Sequence, residues 1–104
     1  MNLSEEPLIN LLGNKSKLRI LIALWKSRDE LTVYRICKST GLKRSVVHHH
    51  IRELVNGGLV QRKRYGEISL FTLNSDSPYG RAFKEFLDKT LGRVEGVDGL
   101  DVES

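Results

Sequence analysis

Apolar positions along the chain fall into short clusters, each closed off by Gly, Pro or a capping residue. Ser4-Glu5-Glu6-Pro7 has a cap, two acids and a proline, the marks of a helix start. Leu8, Ile9, Leu11 and Leu12 supply that helix with an apolar side, and Gly13 stops it. Asn14 then caps a second helix. Its Leu18, Ile20, Leu21, Ile22, Leu24 and Trp25 are apolar over most of the circumference, which predicts the central core helix. Residues 26–30, Lys-Ser-Arg-Asp-Glu, read as a polar connection. Thr32 caps a third helix that turns Val33, Ile36 and Cys37 inward, and Gly41 offers a left-handed turn residue. A fourth helix runs to about Asn56 and closes at Gly57-Gly58. Residues 59–65 and 68–73 read as two strands joined by Gly66-Glu67, a two-residue turn with Gly first. The polar run 61–64 fits either face of the hairpin, so the register stays open. Ser77-Pro78 starts a last helix with Tyr79, Phe83, Phe86, Leu87 and Leu91 on one face, ended by Gly92. The pattern predicts one mainly α domain with a small β-hairpin, followed by a Gly-rich, acidic and disordered tail over 92–104.

Charge sharpens this picture. The net formal charge is +4, yet residues 43–64 carry Lys43, Arg44, Arg52, Arg62, Lys63 and Arg64 against one acid, Glu53. The tail carries Glu95, Asp98, Asp101 and Glu103 against Arg93, so the remainder stands near +7. A cationic field concentrated on one helix and the hairpin after it points to an anionic partner, duplex DNA above all. The bland reading is that these Lys and Arg only solubilise a surface. Apolar residues make up 39% and charged ones 29%, as in a soluble globular chain. Cys37 is the single cysteine, so no intrachain disulfide forms and a reducing compartment fits. The start lacks the basic residues and long apolar run of a signal peptide, and no stretch approaches the roughly 18 apolar residues of a membrane span. A cytoplasmic protein at the nucleoid, without membrane association, is expected. No Ser/His/Asp, Cys/His or phosphate-loop arrangement occurs, so no enzyme is expected.

On a helical wheel of the fourth helix, Val47, Leu54 and Val55 lie within about 60° of Ile51 and form the buried stripe. Ser45, Val46, His49, Arg52, Glu53 and Asn56 lie opposite, and His48 and His50 flank the stripe. Arg44 and Arg52 are candidates for phosphate contact. Ser45, Val46 and His49 are candidates for reading base edges, Val46 through a thymine methyl. Lys43-Arg44 stands where a cap would be favoured, and two cations there oppose the helix dipole at roughly 0.3–1 kcal/mol each. A bound phosphate reverses that sign. Three consecutive histidines point about 100° apart and do not converge on one ion. No metal or cofactor is therefore expected, and His50 is read as a partly buried packing residue.

Leu18…Ile22…Leu24 in the core helix, Leu31-Thr32…Ile36-Cys37…Thr40-Gly41-Leu42 in the turn, Val47…His50-Ile51…Leu54…Gly58-Leu59-Val60 and Phe71-Thr72-Leu73 follow one another in a specific order. In that order the chain resembles the winged helix-turn-helix transcriptional regulators, most of all the small dimeric ArsR-like and MarR-like ones. The resemblance covers roughly residues 8–91. It implies a winged helix-turn-helix domain over 1–91 with an added C-terminal dimerisation helix over 77–91, and a sequence-specific regulator, a homodimeric repressor reading a palindrome. The 43–56 helix would enter the major groove. The 59–73 hairpin would lie on the backbone or minor groove, adding Arg62, Lys63, Arg64 and Tyr65 to the DNA contacts of Lys43, Arg44, Ser45, Val46, His48, His49 and Arg52. Leu8, Leu12, Tyr79, Phe83, Phe86, Leu87 and Leu91 would form the dimer contact, the alternative being that the last helix closes the domain's own core. Metal-sensing relatives carry paired cysteines; Cys37 stands alone and reads as core filler, a redox-sensing thiol being the sharper alternative. The competing function is a winged-helix protein-interaction or architectural module, which would show an exposed apolar patch in place of the cationic face. The sequence names no small-molecule effector.

Overall fold

The computed structural model describes residues 5–92 and, at Pro7 and Leu8, the helical backbone alone. The expected Ser4 cap and the acidic tail beyond Gly92 lie outside the described residues. Helices α1 (Glu5–Leu12), α2 (Lys15–Lys26), α3 (Val33–Thr40) and α4 (Arg44–Asn56) precede strands β1 (Val60–Tyr65) and β2 (Ile68–Leu73). Helix α5 (Pro78–Leu87) follows and widens into a π-helical turn, Asp88–Gly92, where the sequence suggests one continuous helix to Leu91. The architecture is mainly helical with a two-stranded antiparallel hairpin, a winged helix-turn-helix fold.

Capping residues set these boundaries as their chemistry dictates. Asn14 Oδ1 accepts from the Lys17 amide at 3.0 Å, and Thr32 Oγ1 from the Arg35 amide at 3.1 Å. Gly41 takes φ 76° and returns its N–H to the Cys37 carbonyl at 2.8 Å, turning α3 sharply into α4. Helix α4 closes in a Schellman motif. Gly58 stands at φ 84°, its N–H reaches the Val55 carbonyl at 3.1 Å, and the Leu59 N–H reaches the Leu54 carbonyl at 3.0 Å. Leu54 and Leu59 are both buried, which supplies the apolar contact of that motif.

The core centres on α2, as its all-round apolar character predicts. Ile20 and Leu21 are fully buried against Ile36 of α3 and Val47 and Leu54 of α4, within one cluster that also takes in Leu59, Val60, Phe71, Leu73, Phe83 and Leu87. Each such burial contributes about 1.5–3 kcal/mol against the entropy of ordering the chain. Among the described side chains of α1, Leu11 alone belongs to this buried set, and Ile9 stays half exposed.

The hairpin pairs Val60 with Leu73, Arg62 with Phe71, Arg64 with Ser69 and Tyr65 with Ile68. Gly66 alone has positive φ in the two-residue loop, which fits a type II′ turn. Residues directly opposite share a face. Val60, Arg62 and Arg64 therefore share the inner face with Phe71 and Leu73, whereas Lys63 and Tyr65 lie on the outer face. One pairing was not legible. Leu31, just after the polar connection, exchanges backbone hydrogen bonds with Phe71 at 2.8 and 2.9 Å, tying the entry to α3 to the middle of β2. A single bridging residue leaves no alternation for a sequence pattern to show.

Helix α5 begins at Ser77, whose Oγ accepts from the Tyr79 amide at 3.1 Å. Gly80 is buried beneath it, where a Cβ would land on the Asn74 carbonyl. Gly80→Ala is therefore expected to lower stability by about 1–3 kcal/mol, because backbone has to shift to admit the methyl group. Urea unfolding monitored by circular dichroism measures this, and an unchanged midpoint would show that α5 does not pack this closely.

Candidate nucleic-acid interface

Helix α4 buries Val47, Ile51 and Leu54, which fixes the rest of its circumference toward solvent. Lys43, Arg44, Ser45, His48, His49, Arg52 and Asn56 are exposed. Val46, expected on the open face, is half-buried. Lys43 occupies the N-cap position with extended backbone and no side-chain capping bond. The first-turn amides of α4 thus point outward beside two cations, and the local arrangement suits an anion.

The hairpin adds to this face selectively. Arg62, on its inner side, lines a cleft of about 400 Å³ between the hairpin and α4, together with His48, Arg52, Asn56 and Ser69. Phe71, Ile51 and Val33 lie along the same cleft. Arg64 shares this side nearer the tip, opposite Ser69. Lys63 departs from the expectation. It lies on the outer face, where its Nζ is 2.8 Å from Glu30 Oε2, and that bond holds its pKa above the usual lysine value. Tyr65 also lies on the outer face, exposed at the tip opposite Ile68. The alternation that puts Arg62 and Arg64 beside α4 necessarily turns Lys63 and Tyr65 away.

Two further residues belong to this face and escaped the sequence reading. Lys17 is the one buried charged residue among those described, 5% exposed. Its Nζ reaches Glu53 Oε1 at 2.7 Å and the Asn10 carbonyl at 2.8 Å, so a single ammonium joins α1, α2 and α4. The hydrogen bond from Lys17 pulls the Glu53 carboxyl below its ordinary pKa. Positions 17, 20, 21 and 24 form one helical stripe, and a lysine continuing an apolar stripe was the available signal. Glu53 was placed on the open arc of the helix and counted as the lone acid of a basic stretch, but its spacing of four residues from His49 and three from His50 was not read as a contact. Its Oε2 is 3.7 Å from His49 Nε2, and its Oε1 is 3.9 Å from His50 Nδ1. The histidines were expected to diverge, yet the His49 and His50 rings lie with centroids 5.2 Å apart, and Glu53 draws the two into one cluster. His50 is half-buried as expected, and its Nδ1 has no hydrogen-bond partner among the described residues. Burial, then His49 and Lys17, holds its imidazole below the ordinary pKa of 6.5.

Cys37 is half-buried against the core, in keeping with a filler role. The face expected to pair two copies divides. Phe83 and Leu87 are buried in the domain's own core and Tyr79 packs on it. Leu12 is likewise partly buried against that core. Phe86 and Leu91 remain 57% and 50% exposed, and Ile9 of α1 is 50% exposed. The side chain of Leu8 is outside the described residues. The end of α5 is fastened to α2 by Trp25, whose Nε1 donates to Asp88 Oδ1 at 2.8 Å. No described helix is long and apolar enough to cross a membrane.

Comparison with known proteins agrees with this geometry. The family model of the IclR helix-turn-helix domain matches residues 18–64, from α2 into the hairpin. None of the curated proteins matches the chain. Among solved structures, HlyU from Vibrio cholerae N16961 is similar with a TM-score of 0.67 and 26% identity, covering 83% of this chain and 89% of that one. The transcriptional regulator HlyU from Vibrio vulnificus CMCP6 gives 0.67 and 25%, covering 84% and 86%. The homodimeric winged helix-turn-helix DNA-binding domain Mb0332 from Mycobacterium bovis, a possible ArsR-family regulator, gives 0.63 and 23%, covering 85% of each chain.

The titration of this face has a definite sign. His50 resists protonation in the folded chain, so folding loses stability as pH falls below 6.5, the unfolded value, toward the lower folded one. Glu53, with a depressed pKa, contributes stability above 4.5 that is lost only as pH falls through its folded value. The first decline on acidification is therefore expected to correspond to less than one proton and to disappear in His50→Gln. Urea unfolding at a series of pH values tests it; an identical decline in the variant would assign that proton elsewhere.

Proposed function

We propose, taking as premise that the chain is a DNA-binding transcriptional regulator of the winged-helix type, that it acts as a homodimer on a palindromic site and represses by occluding polymerase. The observation that carries this reading is the continuity of one cationic face. Arg52 of α4 and Arg62 of the hairpin line one cleft, Arg64 shares the hairpin's inner face with Arg62, and the uncapped start of α4 adds the exposed Lys43 and Arg44. Helix α4 enters the major groove. Ser45, Val46 and His49 read base edges, while Lys43, Arg44 and Arg52 meet phosphates. The hairpin brings Arg62 and Arg64 to the backbone or the minor groove, with Tyr65 at its tip and Lys63 left to Glu30.

The second copy docks on Phe86, Leu91 and Ile9, the exposed apolar residues of α5, its π turn and α1. The homodimeric Mycobacterium bovis neighbour supports a two-copy assembly of this fold. A two-fold dimer sets two recognition helices about one helical turn of DNA apart, or a multiple of it. The same apolar surface also fits the protein-interaction alternative, and DNA selection separates the two.

Selection from a random duplex pool is expected to enrich a palindrome with half-site centres about 10–10.5 bp apart. Salt-dependent binding without enrichment would favour an architectural role, and an absence of binding would favour the protein-interaction reading. With about eight phosphates neutralised per dimer, log K is expected to fall against log salt with slope near −7, a loss of roughly 10⁴ between 50 and 200 mM. Arg44→Ala and Arg52→Ala should each flatten that slope by about two, one phosphate contact being lost from each protomer of the dimer. Val46→Ala or His49→Ala should change the preferred sequence, and a pair of variants that keep the parental preference would overturn the base-reading assignment. Phe86→Asp is expected to shift sedimentation from dimer to monomer and weaken binding to the palindrome; a dimer unaffected by it would place the interface elsewhere.

A further inference from the structure

The recognition helix carries a group of side chains that DNA contact by itself does not explain. His49, His50 and Glu53 each offer one ligand atom, and these three atoms lie within 4.8 Å of one another. They line one wall of a cleft between α1 and α4, with Asn10, Asn14 and Lys17 on the other side. We propose that His49, His50 and Glu53 form a binding site for a divalent transition metal of the zinc class, and that metal and DNA compete for the His49 side chain. The competition rests on the base-contacting position proposed for His49; the site itself does not.

The geometry is close to what such an ion requires. Metal–ligand bonds of about 2.0–2.1 Å in a tetrahedron put ligand atoms about 3.3 Å apart. Glu53 Oε2 and His49 Nε2 are 3.7 Å apart, and with the His50 nitrogen one ligand atom from each residue lies within 4.8 Å of the others, so side-chain rotations can close the site. His49 and Glu53 have the four-residue helical spacing that sets two ligands on one face. The buried His50 Nδ1, without a hydrogen-bond partner among the described residues, is a donor atom facing the same carboxylate. Two imidazole nitrogens and one carboxylate oxygen suit zinc, and the open cleft leaves a fourth position for water.

Lys17 limits the affinity without blocking the site. Its ammonium holds Glu53 Oε1, so Oε2, the oxygen nearer His49, is the one left to the ion. A histidine whose Nε2 is bound to metal has no donor or acceptor left there for a base edge. By linkage, DNA that engages His49 must then weaken metal binding by the same factor that metal weakens DNA binding.

The test uses the full chain without a histidine tag, freed of metal by chelation. Zn²⁺ titrated by calorimetry is expected to bind once per chain, and Co²⁺ to give the visible absorption of a four-coordinate ion. His49→Ala and Glu53→Gln should each weaken Zn²⁺ binding at least about tenfold. His48→Ala, which alters an exposed ring on the hairpin side of the helix, should leave it unchanged. Failure to bind, or equal losses in all three variants, would overturn the site. Saturating Zn²⁺ should also weaken binding of the duplex enriched by selection at least about tenfold in the parent and not in Glu53→Gln. Binding at the site with unchanged DNA affinity would overturn the competition, and with it the groove-facing role of His49, while leaving the metal site standing.

Discussion

Burial of Val47, Ile51 and Leu54 against α2 is the constraint on which the rest of the molecule depends. A helix that commits one stripe to a core can offer only the remaining arc, and only in one rotational setting. That setting decides which residues of α4 face outward. The Schellman closure at Gly58 then fixes where the chain leaves the helix, and Leu59 and Val60, buried just beyond it, aim the hairpin back along the same side. The cationic face is thus assembled from two elements by one packing decision. Its charge lies at the places that packing leaves open.

Much of this was written in local signals that act over three or four residues. Asn14, Thr32, Gly41, Gly58 and Gly66 each sit where backbone geometry or an unpaired amide demands that residue type. The buried stripe of α4 follows from helical periodicity alone. What escaped was information carried between elements. The hairpin register depends on which face meets the core, and residues 61–64, polar throughout, carry no preference of their own. Lys17 reads as a surface residue until Asn10 and Glu53 arrive from two other helices to satisfy its ammonium. The Leu31 bridge consists of two backbone hydrogen bonds, to which side-chain pattern is blind.

Helix α5 shows the same limit from the other side. Its aromatic and aliphatic residues read as one face, yet the domain takes Phe83 and Leu87 for itself and leaves Phe86 and Leu91 outside. The two phenylalanines lie with ring centroids 6.0 Å apart, one sunk in the core and the other against solvent. A partner docking there would build on a surface whose inner layer the fold has already made rigid.

The bridge between Leu31 and Phe71 has a mechanical consequence. Phe71 lies opposite Arg62 in the hairpin and is bonded through its backbone to the residue that leads into α3. A swing of the wing would therefore strain these two backbone hydrogen bonds to the lead-in of α3, which favours one spacing between wing and α4. On the proposed reading, the deformation needed for a fit falls on the duplex. Sequences that already hold the matching groove spacing, or yield to it easily, gain affinity at base pairs that no side chain touches.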